Sequence, residues 1–420
     1  MILPGRTARS LSDSLPSALA ASWGCVVMAW LGLYGWAWTD YDVEARPAFD
    51  ALVNGHLARF LDLAPSYGGS LILRAPFVLM TRLWGGGELS IFRAAAAPCL
   101  AATAIFGVWL MARMRARGQS FLSRAIALFL CVANPVTLHG LEVGHPEELL
   151  GAVLCVGAVI CAVRERTAWA GVLLGLAIAN KEWAIVAGGP VLLALPRHRL
   201  RAAATAAGIA MLVMAPLALA GSTGFLSQAK GSALRASVIF QPWQLWWFLG
   251  SHGHVVRGTF GNLKIGYRTP PVWVEGLAHP LIVAITVPVT LLYAWARSRG
   301  SHRGDPDPLL LLALLLLLRC VLDPWDTSYY CLPFLFALLT WEALRLERPP
   351  VLALFGSFSA WFAYQATAST GLRLSADTQS LIFALFAVPA LTALVTALFA
   401  PGLARRLLVR PRRGAVAVAA

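Results

Sequence analysis

Charge is what this sequence has least of. Only 13% of its 420 residues are charged, against 58% hydrophobic, whereas a water-soluble surface needs about a quarter charged residues. A soluble globular chain is therefore excluded, and lipid is the solvent for most of the surface. Other features are also missing. No Gly-rich phosphate loop, heptad array or fixed-period repeat occurs, which removes the usual nucleotide-binding and coiled-coil readings. The seven cysteines, Cys25, Cys99, Cys131, Cys155, Cys161, Cys320 and Cys331, form no CxxC pair and have no metal-ligand spacing. They read as packing residues and say nothing about redox compartment. A net charge of +14 and a pI near 10.1 do not mark a nucleic-acid binder, because the basic residues are dispersed in short loops.

What the sequence does have is a series of apolar runs near the length of a bilayer span, roughly 20 residues. Backbone groups must pair internally in lipid, so these runs are helices. They predict an all-α integral membrane fold of about twelve transmembrane helices, with ten to thirteen allowed. The runs lie near residues 18–38, 89–112, 124–140, 148–163, 168–180, 183–196, 202–221, 279–296, 308–322, 329–344, 350–368 and 379–399. Those at 168–180 and 183–196 are short and suit a hairpin that crosses incompletely. Arg6 and Arg9 precede a first run that is too long for a signal-peptide core and has no small-residue cleavage site after it, so it reads as an uncleaved helix.

Lys and Arg gather in alternate loops, and the positive-inside rule then puts both termini of a multi-pass protein in the cytoplasm. The chain reads as one polytopic domain with a basic cytoplasmic tail at 400–420. Two long outer loops, 39–88 and 222–278, are expected to carry short interfacial helices. In the first, Phe49, Leu52, Val53, Leu57, Phe60 and Leu61 are spaced as one helical face, suited to the membrane surface. The second holds Trp243, Trp246, Trp247 and Trp273 among Lys230, Arg235, Arg257, Lys264 and Arg268. Interface anchoring explains these tryptophans as well as ligand stacking does.

Four clusters could carry chemistry. The acidic run Asp40-Tyr41-Asp42-Val43-Glu44 opens the first outer loop. As an extended segment it would point all three acids one way, and as a helix only Asp40 and Glu44 would share a face; solvated loop acids are the plain alternative. Next come Asn134-Pro135 and the turn Gly140 to Glu148. There Glu147 and Glu148 follow Pro146 as first-turn helix residues, while Glu142 and His145 precede the helix and are harder to dismiss. The third is Asn180-Lys181-Glu182, where a cation near apolar segments needs an anion, either Glu182 or a lipid phosphate. The last is Arg319, followed by Asp323-Pro324-Trp325-Asp326, where Asp323 also reads as a turn residue and Asp326 as a cap.

Together these residues resemble the polytopic C-type glycosyltransferases that use polyprenyl-phosphate sugars. In particular they resemble the actinobacterial, alpha-mannosyltransferase-like branch of glycosyltransferase family 87. The likeness rests on Asp40 to Glu44, the Asn134-Pro135 to Glu148 turn, the Ala179-Asn180-Lys181-Glu182-Trp183 hairpin ending in Pro190 to Pro196, and Asp323-Pro324-Trp325-Asp326. It implies a helical bundle with its active site at the outer membrane face. A hexose or pentose, mannose first, would pass from polyprenyl phosphate to a cell-envelope glycan or glycolipid.

The resemblance further implies that Asp40 or Asp42 is the base, Tyr41 between them departing from a plain Asp-Asp pair. Lys181, then Arg319, would meet the donor phosphate, with Lys264 and Arg268 behind them. Glu44, Glu142, His145, Asp323 and Asp326 would hold substrate. No cofactor is expected and no metal ligand is assigned, since Ser251-His252-Gly253-His254 is too sparse for a zinc site; divalent-metal dependence is left open. A lipid or solute transporter, or flippase, is the main competing reading, and a non-catalytic assembly factor the lesser one. Charges at helix ends and in outer loops favour an interfacial enzyme, with Lys181 the exception.

Overall fold

The computed structural model describes residues 15–33, 39–220, 240–253, 255–257, 263–299, 307–346, 348–369 and 374–400. Arg6, Arg9, Lys230, Arg235 and the tail beyond residue 400 lie outside them. Helices coincide with every apolar run, in part for the first. Among the described residues five helical stretches are long and apolar enough to cross a membrane: Glu88–Ala116, Phe121–Val143 (two helices in succession), Arg199–Leu219, Gly276–Ser298 and Ala376–Phe399. The fold is therefore of the all-α membrane class; five of the twelve expected spans meet length and composition together among the described residues, and others are shorter apolar helices. Thr167–Asn180 has 14 residues, about 21 Å of helix against a hydrocarbon core of about 30 Å.

Sequence explains where the helices break. The run at 124–140 is interrupted after Val132, and Asn134 caps the continuation Pro135–Val143, its side chain accepting from the Val136 N–H at 3.0 Å. Proline is tolerated there because the first helical N–H has no partner to lose. At the centre lies Pro308–Leu322, whose leucines from Leu309 to Leu317 are all buried. A helix apolar on every side belongs inside the bundle. It packs against Leu332–Trp341, Ala376–Phe399 and Glu147–Val163, and the last of these also meets Thr167–Asn180 and Glu88–Ala116.

The first long loop departs from expectation. It folds into helices Thr39–Glu44, Arg46–Val53, Leu57–Asp62 and Gly68–Met80. Phe49, Leu52 and Phe60 are buried inside the protein, so that apolar face is taken up by protein packing rather than offered to the membrane surface. Leu57 alone of that set is strongly exposed. In the second loop, residues 222–239 lie outside the described residues; those described from Phe240 to Pro271 form a 3-10 turn, Trp247–Leu249, and two short antiparallel ribbons, and helix Val272–Arg299 begins within the loop. Ser251–His252 pairs with Arg268–Thr269, and Val255–Arg257 with Leu263–Ile265.

Candidate active site

One end of the bundle gathers the chemistry. The acidic run is helical, so Asp40 and Glu44 share a face while Asp42 turns away. Tyr41 anchors it: the ring is buried and meets Phe92 edge-on at 4.6 Å. Gly144 faces it with φ of +97°, and a Cβ there would lie 2.3 Å from the Tyr41 Cβ. Only glycine permits both that conformation and that approach. The turn it makes ends Pro135–Val143 and delivers His145 beside Asp40.

From Asp40 a chain of contacts runs inward. Its Oδ2 lies 3.3 Å from His145 Nε2 and accepts from the Tyr329 hydroxyl at 3.4 Å. His145 Nδ1 lies 2.6 Å from Glu147 Oε1, which in turn is 3.3 Å from Lys181 Nζ. Arg74 Nη1 approaches the other Glu147 oxygen at 3.3 Å. Glu148 Oε1 is shared by Lys181 and Arg319, each at 3.7 Å, and by the Trp183 indole N–H at 3.2 Å. Tyr67 donates to Glu44 at 2.6 Å, and its ring lies 3.8 Å beneath Lys181 Nζ. The carboxylates of Asp40, Glu44, Glu147 and Glu148 thus face Arg74, Lys181, Arg319 and His145, and buried charges survive only when so matched.

Backbone packing fixes this geometry. Gly69 touches the Ala179 carbonyl, since a Cβ there would stand 2.1 Å from its oxygen. That contact lets Ser70 donate to Asn180 at 3.0 Å, and Asn180 donate to the Glu147 carbonyl at 2.9 Å. Lys181 follows directly and so is aimed at the two glutamates.

Asp40 is the most open group on the Glu147 branch, with 27% of its side chain exposed against 9% for Lys181 and 1% for Glu147. Burial would raise its acidity constant, but the His145 hydrogen bond and charge, with Tyr329 and Lys181, hold it below the usual carboxylate value. For His145, burial acts to lower the imidazole. The Glu147 charge and the Asp40 hydrogen bond prevail and lift it from 6.5 to about 10. At neutral pH the pair is carboxylate and imidazolium.

The site residues expected from sequence separate into groups. Asp40, Glu44, His145, Lys181 and Arg319 are brought together. Asp42 is not: it pairs with Arg46 at 3.0 Å on the exposed side, and Arg46 reaches Glu88 at 2.7 Å. Glu142 also lies apart, 3.0 Å from His139 Nδ1 and 39% exposed. Asp323 contacts His279 Nε2 at 3.1 Å and is kept ionised, whereas Asp326 is sealed against the Tyr364 hydroxyl and pushed up by burial. Arg319 lies between the rings of Trp183 and Tyr330, 3% exposed. Arg268 binds Asp377 at 2.9 Å, while the Lys264 side chain and His254 are outside the described residues. Among the described residues, no group of three or more His, Cys, Asp or Glu is arranged for a metal ion.

Sequence reasoning missed Arg74, Tyr67, Tyr329 and the inward role of Glu147 and Glu148. Both glutamates do occupy a first helical turn, but they are fully buried and ion-paired. Arg74 did leave a signal, as the lone charge in the apolar stretch Gly68–Met80.

A helical membrane bundle with a matched charge network at one end, its outermost carboxylates Asp40 and Glu44 only half-buried, defines a polytopic membrane protein whose polar site is built on helix termini. The model of glycosyltransferase family 87 matches residues 69–324, more than half of the chain, and the protein belongs to that family. It is thus a membrane glycosyltransferase by family. A search of curated proteins finds no match.

Proposed function

We propose that this glycosyltransferase moves a hexose or pentose, mannose first, from a polyprenyl-phosphate sugar to a glycan or glycolipid of the cell envelope. The transfer takes place at the outer face of the plasma membrane, with both termini cytoplasmic. The observation that carries the reading is the partly open Asp40 carboxylate, backed by His145 and by the buried cation Lys181. Asp40 accepts the proton of the acceptor hydroxyl as its oxygen bonds to the anomeric carbon. The bond from that carbon to the phosphate oxygen breaks, and polyprenyl phosphate leaves with the electron pair.

Lys181 is the cation for the phosphate, because it lies on the same branch as Asp40. A positioned cation there favours the developing charge by a few kcal/mol. Arg319 is enclosed by two rings and Glu148, and so acts from behind by fixing that glutamate. Tyr67 and Glu44, joined at 2.6 Å, form the wall where sugar hydroxyls bind, with Asp323 as a second acceptor group. A lipid-linked donor also suits a chain without a Gly-rich phosphate loop.

The test is sugar transfer by membranes containing the full chain, supplied with polyprenyl-phosphate sugars or with nucleotide sugars. Transfer from the lipid-linked donor alone is the expected result. Transfer from the nucleotide sugar in a lipid-free acceptor assay would overturn the donor assignment. Movement of the lipid across the bilayer without transfer would favour a transporter.

A further inference from the structure

Arg74 is buried to 1% exposure on Gly68–Met80. Its Nε donates to the Ser70 carbonyl at 3.3 Å, and its guanidinium carbon lies 5.4 Å over the Phe49 ring. Glu147, its ion-pair partner, divides its two oxygens: Oε2 faces Arg74 Nη1 at 3.3 Å, while Oε1 serves His145 and Lys181. A carboxylate tethered at one oxygen cannot rotate the other away from its partners. Replacing a buried ion pair by apolar residues is often neutral or stabilising for a fold, so a cation at this depth is not explained by packing alone.

We propose that Arg74 is a positioning residue of the transfer reaction, holding Glu147 Oε2 so that Oε1 stays between His145 and Lys181 and Asp40 keeps its orientation. The inference rests on the proposed function. Other titratable groups face this chain. Tyr67 and Cys99 lie within the field of both Arg74 and Glu147. Tyr41 lies in the field of Arg74, Tyr329 meets Asp40, and Glu148 and Glu44 face Lys181. None of them takes up Oε2, which makes no hydrogen bond among the described residues and is held by the Arg74 ion pair.

The experiment measures kcat against pH for Arg74→Met, Glu147→Gln, the double variant and Arg74→Lys. Full-length protein in membranes is used at matched expression, with polyprenyl-phosphate mannose as the probe. Arg74→Met is expected to lower kcat about 10- to 100-fold, the scale of loss when a catalytic group is misplaced by about 1 Å. With Oε1 free to turn from His145, the imidazolium that keeps Asp40 ionised is less firmly placed, so the acid limb moves up. Arg74→Lys restores the limb. The double variant equals Glu147→Gln, because a residue acting through another adds nothing once that other is gone.

Folded Arg74→Met with the wild-type kcat and profile would overturn the proposal, and so would a double variant slower than Glu147→Gln by the full single-variant factor. Where Arg74→Met does not accumulate, the double variant against Glu147→Gln decides alone. Failure of the wild type to transfer from any donor would instead count against the proposed function, which keeps the two failures distinct.

Discussion

Replacing Gly69 by alanine should uncouple the site without touching a charged residue. A Cβ at this position would stand 2.1 Å from the Ala179 carbonyl oxygen and 2.9 Å from its carbon, where ordinary contact begins at 3.4 Å. The backbones must separate by about 1.3 Å, because neither atom belongs to a side chain that can swing aside. The Ser70–Asn180 hydrogen bond, now 3.0 Å, is then stretched beyond reach. Overpacking costs about 1–3 kcal/mol and the lost hydrogen bond about 1 kcal/mol more. Lys181 moves with Asn180, and displacement of a catalytic group by about 1 Å typically costs about 100-fold in rate.

The assay pairs the initial rate of sugar transfer with the apparent melting temperature of the purified protein. Gly188→Ala is the control, since its Cβ would meet nothing within 4 Å and its φ of −57° is helical. Gly69→Ala is expected to lose both rate and several degrees of melting temperature, and the control neither. A Gly69→Ala protein with wild-type rate and melting temperature would refute the claim that this contact positions Lys181.

Further outcomes follow from the same geometry. Gly144→Ala meets both a φ of +97° and a 2.3 Å clash with Tyr41, so melting temperature and transfer rate should both fall; a neutral result would show that the turn does not place Asp40. Transfer should fall on the acid side as Asp40, held below its usual value, is protonated, and on the alkaline side near pH 10 as His145 loses its proton. The stability linkage has matching signs. His145 contributes fully below its unfolded value of 6.5 and loses that contribution as pH rises through about 10. Asp40 contributes above its ordinary value of 3.8, and loses that as pH falls through its lower folded value. Melting curves against pH check both, and a maximum of stability on the alkaline side of pH 10 would contradict them. Lys181→Met should slow transfer by about 100-fold or more if it meets the phosphate, whereas unchanged kcat would remove it from that role.

The bundle was largely legible because lipid imposes one simple rule, apolar residues over a helical length, and the runs at 148–163 and 308–322 match Glu147–Val163 and Pro308–Leu322 almost residue for residue. Full crossings were less legible, since a short run such as 168–180 reads as apolar whether or not it traverses the bilayer. At the site, Asp40, His145 and Lys181 announced themselves as charges beside apolar helices. Two things hid the rest. Helix phase decided that Asp42 points to Arg46 rather than to His145, and the sequence allowed an extended segment as readily as a helix. Burial decided the role of Glu147 and Glu148: a first-turn glutamate has the same sequence signature whether it faces water or Lys181. Arg74 is legible in principle, but the sequence around it also reads as an outer loop, and only packing against Thr167–Asn180 and Glu88–Ala116 brings it to Glu147.

Asp40, not Asp42, is the proposed base of a lipid-linked sugar transfer. The direct measurement is transfer of radiolabelled sugar from polyprenyl-phosphate donors by membranes carrying the wild type, Asp40→Asn or Asp42→Asn at matched expression. Removing a general base costs about 100- to 10,000-fold, so Asp40→Asn should abolish detectable transfer while the protein stays folded. Asp42→Asn, which loses only an exposed pairing with Arg46, should retain most of it. Full transfer by Asp40→Asn, or its loss in Asp42→Asn alone, would contradict the account.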